Sequence, residues 1–240
     1  GGVGAPALVE DEPLLVGVLE LDGVEPAELD GVEPLEVGDD ALLAVFREVM
    51  TITIDDGMTF DTAKLKIQPI REDAEYGGSR LSTTATLSGA RIPIVVDVGF
   101  GDAIEPSAED IDLPVLLDMP SPRLRAYPQE TVVAEKLHAM VALGLANSRM
   151  KDYYDVWMLT RAFSLDLSRL SRAVAATFER RSTPVPKSVP EGLSDAFAAD
   201  ADKQAQWEAF ARNLAAPAPA LGDLVTDLRA SLATLFKHAQ

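Results

Sequence analysis

Three groups of residues in this 240-residue chain have the types and spacing for chemistry. Asp97 is a single carboxylate inside the apolar run IPIVVDVGF. A charge there is costly unless it is paired, bound to a metal or placed at the strand's open end. Asp97 therefore reads either as a cap on the turn Gly99-Phe100-Gly101 or as a metal-binding carboxylate. The second group lies in TVVAEKLHAMVALG, where only Glu135, Lys136 and His138 are polar between Val132 and Leu143. Lys136 stands four residues from both Val132 and Met140, so its stem lies along an apolar stripe. Its ammonium either snorkels to water or becomes a fixed positive charge for a phosphate. His138 alone reads as a packing histidine and receives no role. The third group is NSRMKDYYDVW, residues 147–157. Lys151 and Asp155 are four apart and Asp152 and Asp155 three apart, so all share one helix face. They form an exposed ion-pair cluster or, beside Tyr153, Tyr154 and Trp157, a surface for a nucleotide.

Elements must hold these groups in place. Leu42, Leu43, Val45, Phe46 and Val49 recur at helical spacing from Ala41, with Asp39 and Asp40 as caps. Strand-like runs follow at Lys64–Ile70, Arg80–Leu87 and Ile92–Val98. The third is apolar nearly throughout, which predicts a central place in a sheet. A Pro-rich connector, Ile104–Tyr127, leads to helical patterns. Pro128 and Gly144 bound the first of these, and Ser148 is the expected cap of a second running to about Phe163. Others are expected near Leu167–Arg181, Lys203–Leu214 and Leu221–Phe236. Strands first and helices last indicate an α+β protein with a helical C-terminal part. The expected divisions are an irregular acidic head at 1–40, a sheet region at 41–127 and a helical domain at 128–240.

Composition narrows the chemistry further. There is no cysteine, which removes disulfides, thiolate metal sites and cysteine nucleophiles. Two histidines make a histidine-built zinc site a poor expectation. No apolar run reaches the roughly 18 residues a membrane helix needs, and the start Gly-Gly-Val-Gly is not a secretory signal. A cytoplasmic, soluble protein is expected, with a start that is processed, truncated or miscalled. The net charge of −18 is unevenly spread. Residues 1–40 hold twelve acidic residues and no Lys or Arg, and include the near-repeat DGVEPAEL–DGVEPLEV. Residues 121–190 hold eleven basic and six acidic ones, so an acidic chain contains one basic zone. Polyanion binding follows local charge, and a phosphate-bearing ligand fits there.

The run VDVGFGD, followed by YPQETVVAEKLHAMVALGLANSRMKDYYDVWML, resembles the nucleotidyl transferase AbiEii/AbiGii toxin family of bacterial toxin–antitoxin and abortive-infection systems. The likeness covers roughly residues 41–215 and is most specific over Tyr127–Leu159. It implies a nucleotidyltransferase-like fold, a small mixed sheet with helices followed by a helical domain. It also implies transfer of NMP from an NTP to an acceptor, tRNA 3′ ends being the family's best-supported target, with a cognate antitoxin as a further partner. By that resemblance Asp97 matches a Mg2+-binding strand carboxylate and Lys136 the nucleotide-contacting lysine. Asp152 or Asp155 matches the essential helix aspartate, with Arg149 and Lys151 as phosphate contacts. The family's Gly-Ser turn and Asp-x-Asp are not found within residues 1–60. The pairs Asp39-Asp40 and Asp55-Asp56 are adjacent, so in a strand they would point to opposite faces. A catalytically inactive or truncated relative, serving as a binding or regulatory module, is the alternative expectation.

Overall fold

The computed structural model describes residues 38–70, 78–99, 104–115 and 118–236. The acidic near-repeat and nearly all of the head at 1–40 lie outside them. The chain divides into two units between Asp102 and Ala103.

In the first unit, helix α1 (Asp39–Thr51) starts at Gly38, with both aspartates in its first turn, where the helix dipole favours negative charge. Four strands follow: β1 (Met58–Phe60), β2 (Lys66–Ile70), β3 (Gly78–Leu87) and β4 (Ala90–Gly99). Every described pairing is antiparallel, so the small sheet implied by the family likeness is present without mixed pairing among these strands. The strand at the centre is β3, which pairs with β1 and β2 on one side and β4 on the other. Its alternation, expected through Leu81, Thr83, Ala85 and Leu87, puts the first three side chains in the interior and leaves Leu87 exposed at the strand's end. A compact apolar cluster of Phe46, Leu65 and Leu81 joins α1 to this face. The central place expected for β4 is not found. Ile92, Ile94, Val96 and Val98 are only half-buried, and Val95 is exposed. Pro93 carries the reason, because a residue without an N–H suits an edge strand.

The second unit begins with a ribbon inside the expected connector: β5 (Glu109–Asp112) paired antiparallel with β6 (Arg123–Ala126). The first of these, Glu-Asp-Ile-Asp, does not alternate apolar and polar residues in the usual way. The pair is instead matched by charge, Asp110 opposite Arg125 and Asp112 opposite Arg123. Arg169 binds Glu109, and Arg172 reaches Glu105 at 2.9 Å, tying the ribbon to the helices.

Those helices are α2 (Gln129–Leu143), α3 (Met150–Ala162), α4 (Leu167–Arg180), α5 (Asp195–Ala199), α6 (Ala201–Ala211) and α7 (Leu221–Leu232). Their shared core is the larger of the two, built on Leu137, Met140, Tyr153, Phe178, Phe197, Leu224 and Leu228. Pro128 precedes α2 and Gly144 ends it at φ 50, the left-handed region a glycine reaches without strain. Ser148 does not cap α3. Arg149 takes that position, and the Asn147 side chain accepts its N–H at 2.9 Å, a local turn that competes with the expected serine cap. Among the described residues, no helix is long and apolar enough to cross a membrane.

His138 packs as expected, edge-on to Phe178 at 5.0 Å. Arg181 can only donate, so Nδ1 accepts from it at 3.3 Å and Nε2–H donates to Thr183 Oγ1 at 2.9 Å. Burial and the Arg181 guanidinium push the imidazole down from 6.5 to about 4. In the unfolded chain His138 takes its proton near pH 6.5, so stability falls as pH drops from there toward 4. Melting temperatures between pH 7 and 4 check this. The gap between parent and His138→Gln is expected to hold steady above pH 6.5 and to shrink below it.

Candidate functional site

The physics of α2 and α3 brings five of the anticipated side chains together. The Lys136 stem lies along α2 with fully buried Met140 one turn away. Its head does not snorkel. Nζ donates to Asp152 Oδ1 at 2.8 Å and stands 2.9 Å from Asp155 Oδ2. The same Asp155 oxygen accepts from Lys151 Nζ at 2.7 Å. Arg149 closes the group from outside, its Nε 2.7 Å from Asp152 Oδ2. That N–H is not aimed at the oxygen, which accepts no hydrogen bond despite the short distance. We read the contact as an ion pair without the added strength of an aligned hydrogen bond.

Burial grades the cluster. The Asp152 side chain is 2% exposed and Lys136 17%, whereas Arg149 is 49% exposed. Asp152 lies in the first turn of α3, where the helix dipole adds to its stabilisation. Burial works against the Lys136 ammonium, yet Asp152 and then Asp155 outweigh it and hold its pKa above 10.5. Lys136 is therefore a fixed cation and not a proton acceptor near neutral pH. Three cations and two carboxylates leave the group one net positive charge, with the two outer cations closest to solvent.

The aromatics that accompany this motif do other work. Tyr153 is fully buried and stacks on Phe197 at 5.0 Å. Tyr154 and Trp157 pack toward the core near Phe210, and the indole N–H donates to Asp227 at 3.0 Å. Asn147, which sequence reasoning left out, is fully buried beneath the turn that presents Arg149. Its place two residues before the helix-opening arginine was the available signal.

Asp97 belongs to the sheet unit, in β4. The turn through Phe100 and Gly101 that it was expected to cap lies outside the described residues. Both Asp97 oxygens are held by Arg80 on β3, each at 2.7 Å, because the register sets Arg80 directly opposite. Asp39 and Asp40 lie in α1 and Asp55 and Asp56 in the turn before β1, so neither adjacent aspartate pair stands in a strand; Asp39 Oδ1 accepts from Ser79 and Asp56 Oδ1 from the Met58 N–H. Magnesium asks for several converging oxygens. With Asp97 occupied, and no group of three His, Asp or Glu side chains arranged for an ion among the described residues, those residues do not fit a magnesium site by themselves.

A family model, nucleotidyl transferase AbiEii toxin of type IV toxin–antitoxin systems, matches residues 29–234. No curated protein and no solved structure matches the chain significantly.

The cluster makes a stability prediction of its own. Lys136→Met strands the buried Asp152 carboxylate and is expected to cost roughly 3 kcal/mol. Adding Asp152→Leu removes both charges and should restore much of that loss, read from denaturant midpoints. Because the folded Lys136 pKa is raised, its contribution is complete below 10.5 and fades as pH rises through the raised value. Equal midpoints for parent and Lys136→Met would contradict the buried pair.

Proposed function

The chain belongs to the nucleotidyl transferase AbiEii toxin family of type IV toxin–antitoxin systems, and we propose that it transfers NMP from an NTP to the 3′ end of an RNA, tRNA being the acceptor. The observation that supports this most is the Lys136 ammonium held between Asp152 and Asp155, with Arg149 and Lys151 beside it. In such a transfer an acceptor hydroxyl attacks the α-phosphorus and loses its proton. The new P–O bond forms as the bond to the bridging oxygen breaks, and pyrophosphate leaves. Catalysis is then mostly positioning and neutralisation of charge on the departing group.

The chain's residues divide that work by depth. Arg149 and Lys151 are the more exposed cations and meet the phosphates first. Lys136 supplies a fixed charge behind them. Asp152, buried under Lys136, acts through it as a positioning residue, and Asp155 holds Lys136 and Lys151 at one oxygen. Magnesium is proposed as the cofactor on family grounds. Asp97 would ligate it only by giving up Arg80, and further ligands must come from outside the described residues. A cognate antitoxin is the proposed protein partner. The occupied Asp97 favours a second reading, a catalytically silent relative that binds that partner.

Incubating the protein with labelled NTPs, magnesium and total tRNA separates the two. Label transfer is expected, with a fall of about a hundredfold or more in Lys136→Ala and Asp155→Ala. Arg149→Ala and Lys151→Ala are expected to raise KM for the NTP about tenfold each. Absence of transfer by a folded parent protein that still binds its antitoxin would leave the silent reading.

A further inference from the structure

Residues 190–197 carry out a task that neither the charged cluster nor the core explains. Glu191–Leu193 form one tight turn, and Gly192 stands so close to α2 that a Cβ there would lie 2.3 Å from the Met140 carbonyl oxygen. The same Cβ would lie 3.1 Å from the Tyr153 hydroxyl on α3. That hydroxyl donates to the Gly192 carbonyl at 2.9 Å. The Glu191 carboxylate lies over Gly144, where α2 ends. One turn thus touches the backbone of α2 and the first part of α3 together.

These contacts lie close to the cluster in sequence. Met140 is one helical turn after Lys136, and Tyr153 lies between Asp152 and Asp155. We propose that the Glu191–Gly192 turn is a wedge that sets the spacing of α2 and α3, and that Tyr153 is a positioning residue for Lys136, Asp152 and Asp155. A phenylalanine would fill the same volume. The buried hydroxyl is tolerated because it has a partner, and burial pushes its pKa up, so it remains a donor. The wedge's role in transfer rests on the function proposed above, whereas its role in holding the ion cluster does not.

The test uses the full chain with isotope-labelled lysine, Lys136 being assigned through Lys136→Arg. Its side-chain titration is followed by NMR in the parent, Tyr153→Phe, Phe197→Leu and Phe178→Leu. The first two variants loosen the wedge through the hydrogen bond and the ring stack, and the third weakens the core beside His138. The Lys136 pKa is expected to drop toward 10.5 in the wedge variants and to stay where it is in Phe178→Leu. In the transfer assay, kcat is expected to fall about tenfold in Tyr153→Phe with KM for the NTP nearly unchanged. An unchanged titration in whichever wedge variants fold, or an equal shift in Phe178→Leu, would overturn the proposal. Failure of transfer in the parent protein would count against the proposed reaction and leave the titration result standing.

Discussion

The helical unit is organised around one ammonium group taken out of water. A lysine head at the depth of Lys136 is unfavourable unless carboxylates meet it, and Asp152 at 2.8 Å and Asp155 at 2.9 Å do so. The requirement runs in both directions, since Asp152 is more deeply buried than its partner. Satisfying the pair determines which faces of α2 and α3 meet and the side on which Lys151 emerges. The surrounding core supplies the driving force, while the ion pair selects one arrangement among those the apolar residues alone would allow.

This arrangement also reconciles a chain of net charge −18 with the polyanionic ligand proposed for it. Field strength at a site depends on the nearest charges and on how far water is excluded. Here Asp152 is buried beneath Lys136 and holds it charged, and Arg149 and Lys151 stand toward solvent. Placing carboxylates under lysines thus stabilises a cationic surface instead of cancelling it.

Much of this was legible in the residues. The 3.6-residue pattern located α2, α3, α4 and α7, and the two-residue alternation located β3. Lys136, Lys151, Asp152 and Asp155 stood out by type and spacing and Arg149 through the family likeness, and the structure brings all five into one cluster. Long-range partners were not legible. Arg80 lies seventeen residues from Asp97, and only the strand register makes them opposite. The β5–β6 ribbon was missed because Glu109, Asp110 and Asp112 carry no apolar rhythm. The edge position of β4 could have been read from Pro93, but the apolar run outweighed that single residue. Whether the cluster is deep or exposed depends on tertiary packing, which spacing along a helix does not encode.

The central claim is that the cluster on α2 and α3 is a nucleotide phosphate site. A crystal structure of the full chain with a non-hydrolysable NTP and magnesium tests it most directly. Triphosphate oxygens are expected within hydrogen-bond distance of Arg149 and Lys151, with Lys136 behind them and still bound to Asp152. A nucleotide bound elsewhere, with these five side chains unmoved and free of phosphate contacts, would contradict it.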